Sequence, residues 1–312
     1  MIASTQRQAL VDAGLWTLGV ADEYGGGGAP LDLRLTALCA IGQLWAATAW
    51  ASAQAHAAAE ILGAAGVGNL LEGIHSARAA VVVDGSGPAV RLEATGGRLK
   101  GNLCRIDPGG ADPHVLIAMD DHTVWCLEPG MLTSVRPLPR TGMAGALSVS
   151  AEVDVALDDT VVLTGVPVAA NLAMLRLAGA AIAAGIALES AERSRAYARA
   201  RVQFGGPLTQ LPTVRSSLFR QAQSASDALT IALNTPPTGI GAASALAGNC
   251  ERAIDAAAGA VQSHGGYGYL VEYTVERLLR DAVSLRAATG AGHGVAWAAA
   301  GLALAPALIG TE

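Results

Sequence analysis

Charge is scarce in this chain of 312 residues: Asp, Glu, Lys and Arg together make up 15% of it. With 52% hydrophobic residues, that scarcity excludes a disordered protein and allows a large buried core. So little charge also leaves apolar surface exposed, which favours burial in an oligomer interface. Basic blocks are missing and the net charge is −6, so neither nucleic acid nor an anionic membrane is expected as a partner. The local exception is Arg193–Arg201, which carries four arginines. Cysteine is sparse: Cys39, Cys104, Cys126 and Cys250 show no CxxC and no metal spacing. They read as reduced, mostly buried thiols of a cytoplasmic protein.

Other absences narrow the reading. His56, His75, His114, His264 and His293 are not spaced as metal ligands, so no metal site is expected. A Gly-x-Ser-x-Gly elbow is lacking, which removes support for a serine hydrolase. The first residues lack the basic and apolar regions of a signal peptide. Two apolar runs, Leu172–Leu188 and Val295–Ile309, could mimic membrane spans. The first contains Arg176 and the second is too short, so both read as buried core helices.

What is present falls into three zones. Residues 1–77 read as an N-terminal helical domain, with amphipathic Gln6–Leu15 and a long Ala-rich Leu33–Leu62 on either side of the turn-forming Tyr24–Pro30. Residues 78–165 read as a middle β domain, a sheet or small barrel. Its strand-like runs are Ala79–Val83, Val115–Met119, Thr123–Leu127 and Leu147–Val155. Residues 166–312 read as a C-terminal four-helix bundle. Leu172–Arg201, Pro212–Asn234, Ala242–His264 and Val275–Arg286 are its helices, and Gly292–Ile309 is a candidate fifth. The class is therefore α+β. Strands and helices are segregated, which argues against a doubly wound fold.

Two segments carry chemistry. Arg201-Val202-Gln203-Phe204-Gly205-Gly206-Pro207-Leu208 follows a long helix. An arginine at a helix end offers a forked donor to a pyrophosphate, the glycine allows close backbone approach, and the phenylalanine offers a stacking face. Arg201 alone could equally offset the helix dipole. Gln262-Ser263-His264-Gly265-Gly266-Tyr267-Gly268-Tyr269 exposes backbone N–H groups suited to phosphate or an adenine edge. Glu272–Ala282 follows, with Glu276 and Arg280 spaced as i,i+4 partners.

The first segment resembles the "R-x-Q-F-G-x-P-L" motif of the acyl-CoA dehydrogenase family. The second resembles its "Q-x-x-G-G-x-G-Y … E-x-P-V-E-R-x-x-R-D-A", with Thr274 in place of proline. Gly14–Gly26 is similar to the family's "G-l-x-x-l-x-v-P-E-E-Y-G-G". The resemblance spans nearly the whole chain, with the first family helices and part of the middle domain expected to be missing. It implies that Arg201 and Phe204 reach the FAD of a neighbouring subunit, with Gln203, Gln262, Gly265 and Gly266 as further FAD-binding residues.

Departures from the family are as informative. The catalytic glutamate usually stands about nine residues after the arginine of "R-D-A", where this chain has Thr289, or on the first bundle helix, where it has Ala173. Neither is a base, so no catalytic residue is assigned. The flavin-lining segment "T-E-P-x-x-G-S-D" is reduced to Val82–Gly87. In the next lining segment Arg105 stands where tryptophan is usual, and Asp107 where a hydroxyl donates to the flavin. The resemblance therefore implies the non-catalytic subunit of a heteromeric dehydrogenase, an α2β2 assembly like actinobacterial steroid enzymes. Its partners would be a catalytic second subunit, an acyl-CoA substrate and electron-transfer flavoprotein. Two alternatives stand beside it. One is a self-sufficient homo-oligomer with Glu189, Glu192 or Glu272 as an unusual base. The other is a redox-inactive binding or structural protein of the same fold.

Overall fold

The N-terminal helices are delimited by residues that cannot continue them. The computed structural model describes residues 2–85 and 88–292, and begins with α1 (Ile2–Asp12), α2 (Leu31–Leu44), α3 (Ala46–Ala64) and α4 (Leu71–His75). The run Leu33–Leu62, expected as one helix, is two. Trp45 breaks it at φ −141°, ψ 69° while its ring packs on the core. No Gly or Pro marks the break, so helix propensity points the wrong way and packing decides. Gly25 ends the short 3-10 turn Asp22–Tyr24 in the left-handed region at φ 87°, which only glycine adopts cheaply.

The middle region holds two four-stranded sheets rather than a single one. The first runs in the order β1 (Val81–Gly85), β4 (His114–Ala118), β5 (Thr123–Leu127) and β8 (Val161–Thr164), with β1 and β4 parallel. In the second the order is β2 (Val90–Thr95), β3 (Arg98–Ile106), β7 (Val149–Ala156) and β6 (Leu132–Pro137), all antiparallel. Expected strands correspond to β1, β4, β5 and β7. β2, β3, β6 and β8 were not expected; in β3, Arg98, Lys100 and Asn102 interleave with Leu99 and Leu103 and mask the apolar face. Val82, Leu99, Leu103, Val115, Ile117 and Leu127 join the two sheets in one core. Val81, Val83 and Leu116 point the other way, into the helical core.

Alanine and glycine let the helices of the C-terminal bundle approach closely. They are α5 (Val168–Ala200), α6 (Pro212–Asn234), α7 (Gly239–Ser263) and α8 (Val275–Ala288). A Cβ added at Gly185 would lie 2.2 Å from the Cys39 carbonyl oxygen, so α2 and α5 pack backbone against backbone. Buried Asn249 donates to Ala180 O at 3.1 Å and Ala228 O at 2.7 Å, tying α7 to α5 and α6. Pro212 opens α6, where its missing N–H is harmless. Thr238 caps α7 by accepting from Gly241 N at 3.2 Å. α5 is long and apolar enough to cross a membrane, but most of it is buried in this core. Cys39, Cys126 and Cys250 are buried and Cys104 is exposed. The candidate helix Gly292–Ile309 lies, beyond Gly292, outside the described residues, as do His293 and the run Val295–Ile309.

Candidate functional site

A two-residue hairpin builds the tip of the first motif. β9 (Val202–Gln203) pairs with β10 (Gly206–Pro207), leaving Phe204 and Gly205 as the loop. Both loop residues have positive φ, 54° and 86°, as a type I′ turn demands. Glycine adopts this without strain, whereas for phenylalanine it costs about 1–2 kcal/mol. Burial does not offset that cost, because Phe204 is 85% exposed. A large apolar ring is therefore held in solvent on a strained turn, the signature of a contact made with something else. Gln203 beside it is exposed.

Arg201 terminates α5, donating its N–H to Tyr197 O at 2.8 Å and accepting from Leu208 N at 2.9 Å. Its guanidinium carbon lies 5.5 Å from the centre of the Tyr267 ring, a cation–π contact. Tyr267 belongs to the turn Gly265–Tyr267 that follows α7. The fold thus brings the two sequence motifs together at one end of the bundle. Gly265 is left-handed at φ 57°, and a Cβ on it or on Gly266 would meet nothing within 4 Å. Gly268 is the opposite case: its Cβ would fall 2.2 Å from the Val261 carbonyl oxygen, so close packing requires glycine there.

Aromatic rings support this end from behind. Buried His264 stacks on Tyr197 at 4.2 Å, and Tyr273 meets both edge-on at 5.8 and 6.0 Å. Burial pulls the His264 pKa down, against the pull of its bond to the Ala260 carbonyl. The ring is neutral near pH 7 and donates Nδ1–H to Ala260 O at 2.8 Å. Gln262 is exposed beside it, and Tyr269 and Val271 are 72% and 78% exposed. A forked cation, an aromatic face and open glycine backbone on one exposed end suit a ligand with phosphates and planar rings. FAD is such a ligand. Tyr197 was missed, although its place one turn before Arg201 could have pointed to it; Tyr273 carried no signal.

The two positions where the resemblance would place a catalytic glutamate, Ala173 and Thr289, lie elsewhere and carry no basic group. Ala173 is buried in α5, and Thr289 donates its hydroxyl to Leu285 O at 2.9 Å at the end of α8. Of the alternative bases, Glu189 is paired with Arg193 at 2.6 Å and Glu192 with Arg195 at 2.7 Å, while Glu272 is exposed. Asp107 is buried. It accepts from Arg140 at 2.5 Å and from the Ser148 hydroxyl, and Arg105 stands 3.4 Å away. Arg140 also donates to Ser284 O at 2.6 Å, and Arg105 donates to Ala287 O, both on α8. Asp84, at the end of β1, lies within electrostatic reach of Arg105, Asp107 and Arg176. Burial pushes its pKa up to about 6, and the bond from Gly85 N and the two arginines only partly oppose this. Burial lowers the pKa of Arg176, with Asp84 opposing. The roles of Arg140 and Arg176 were not legible: Arg140 and Asp107 are far apart in sequence with no pattern between them.

The "E-R-x-x-R-D-A" segment acts mechanically. Arg280 pairs with Glu276 at 2.6 Å, as the i,i+4 spacing implied, and donates to Thr141 O. Asp281 accepts from Met143 N at 2.6 Å. A Cβ on Gly142 would strike the Arg280 carbonyl, so α8 grips the 141–143 loop directly.

Residues 165–293 match the family described as acyl-CoA dehydrogenase, C-terminal domain. A Bacillus subtilis "Acyl-CoA dehydrogenase" is 38% identical over 120 residues, 36% of this chain and 32% of that protein. The match thus spans about a third of that curated relative. The butyryl-CoA dehydrogenase of Megasphaera elsdenii superposes with a TM-score of 0.78 at 22% identity, over 96% of this chain and 89% of that one. A chain of the ChsE4-ChsE5 complex from Mycobacterium tuberculosis does so at 0.76 and 22%, over 96% and 88%. Residues 165–293 therefore match the acyl-CoA dehydrogenase C-terminal domain by sequence, and over its described length the chain shares the fold of acyl-CoA dehydrogenases.

Proposed function

We propose that this chain is the non-catalytic subunit of a flavin-dependent acyl-CoA dehydrogenase that introduces an α,β double bond into an acyl-CoA. Its residues complete the FAD site of a catalytic partner chain in an α2β2 assembly. Arg201 binds the pyrophosphate, Phe204 stacks against the cofactor, and Gln203, Gln262, Gly265 and Gly266 complete the cradle. The observation that carries this reading is the exposed, strained Phe204 beside an Arg201 held over Tyr267, with open glycine backbone next to both. Bound FAD supplies the hydride acceptor for the β-hydrogen; this chain's part is to hold that cofactor and exclude water from it. The α-proton goes to a carboxylate of the partner, since Ala173 and Thr289 offer none here. Electron-transfer flavoprotein is the acceptor, and steroid-derived acyl-CoAs belong in the substrate panel.

The test is co-expression with a full-length dehydrogenase-like chain encoded alongside it. Arg201→Ala in the purified complex is expected to lower FAD occupancy several-fold while the chains still copurify. Unchanged occupancy would refute the reading. Yellow protein from this chain alone, reducing an acceptor with an acyl-CoA, would favour the self-sufficient alternative instead.

A further inference from the structure

Charged side chains from three elements and one loop converge on the junction between the sheets and the bundle. Asp84 comes from β1, Arg105 and Asp107 from the end of β3 and just beyond it, and Arg176 from α5; α8 contributes the carbonyls of Ser284 and Ala287. Arg140, from the segment after β6, crosslinks Asp107 to α8. Two of these positions, Arg105 and Asp107, are ones at which the family resemblance would place flavin-lining groups, and Asp84 lies in the remnant of a third lining segment. Instead of facing an open cleft, Arg105 and Asp107 form an ion pair at 3.4 Å, Asp107 accepts from Arg140 and Ser148, and Arg105 donates to Ala287 O. Asp107 has both oxygens engaged, one by Arg140 and Ser148 and the other by Arg105. Arg105 and Arg140 each reach a carbonyl in the last turns of α8, within five residues of Thr289.

Such a network closes a junction. Separating β3 from α8 to admit a planar cofactor would break two arginine–carbonyl bonds, one of them from the Arg140 that also neutralises buried Asp107. The residues present therefore do not fit a flavin ring at this place. We propose that Arg105, Asp107 and Arg140, bound to α8, form an internal seal over the cleft of this chain. It carries no flavin of its own, and the only flavin it touches belongs to a partner chain. The first part stands on the geometry of the junction; the second rests on the function proposed above.

The experiment counts flavin in the copurified complex, by absorbance after denaturation, against chain stoichiometry from amino-acid analysis. One flavin per pair of unlike chains is expected, falling well below one with Arg201→Ala. Two flavins per pair, one of which survives Arg201→Ala, would overturn the seal and leave the shared site standing. No flavin in the wild-type complex would overturn the shared site, and the chain alone then decides the seal. Dialysed against 100 μM FAD (about the level that would load a weak site), it is expected to retain under a tenth of an equivalent. Retention near one equivalent would overturn the seal.

Discussion

Asp84→Asn is the substitution whose effect can be worked furthest. The side-chain oxygen of Asp84 accepts from Gly85 N at 2.8 Å, and an asparagine oxygen can keep that bond. The perturbation therefore removes a charge and little else. Burial raises the Asp84 pKa from 3.8 to about 6 in the folded chain. A carboxyl with a raised folded pKa stabilises the fold most when it is protonated. That contribution is complete below pH 3.8 and is lost as pH rises through about 6. The loss amounts to about 3 kcal/mol at neutral pH, at 1.36 kcal/mol per pH unit, with the attraction of Arg105 and Arg176 already included. The asparagine side chain never ionises and escapes it. Urea unfolding of both proteins at pH 4.5 and pH 8 tests this. The variant should have the higher midpoint at pH 8, and the gap should shrink markedly at pH 4.5. A variant no more stable at pH 8, or a gap that ignores pH, would refute the argument that ionised Asp84 is held at a cost.

Other substitutions probe the rest of the architecture. Arg140→Met leaves Asp107 buried without its main cation and should lower stability by about 3–5 kcal/mol, read as a drop in urea midpoint. The double variant with Asp107→Asn should recover part of that loss; no recovery would break the assigned pairing. Gly268→Ala drives a methyl onto the Val261 carbonyl and should cost at least about 1–3 kcal/mol, whereas Gly266→Ala, with open space around it, should be nearly neutral to stability. Thr289→Glu and Ala173→Glu place a carboxylate at the two positions where the resemblance would put the family's glutamate. Neither is expected to give the chain alone acyl-CoA dehydrogenase activity in a dye-reduction assay, because the acid would have no flavin beside it. Turnover by either variant would count against the seal.

The two halves of the molecule were unequally legible. The bundle helices followed from long apolar segments punctuated by Pro212 and the Asn234–Gly239 break. They lie within a few residues of expectation because helix periodicity and stop signals are local. The sheets were harder. Strands such as β2 and β3 carry charged residues between their apolar ones, and the pairing is between distant segments. Trp45 broke a helix that propensity would have continued, because its ring is claimed by the core.

The sequence by itself determined the chemistry available at each position. Arg201, Phe204 and Gly265 are ligand-type residues in a recognisable order, and Ala173 and Thr289 lack any proton acceptor wherever the fold puts them. Only the tertiary structure decided which of these groups meet. It set Arg201 over Tyr267, forced Phe204 into a left-handed turn facing solvent, and tied Asp107 to Arg140 and α8. Covalent order fixes a residue's chemistry, but a charge network spanning β1, β3, α5 and α8 arises only when packing brings those elements together, and no local pattern encodes that distance.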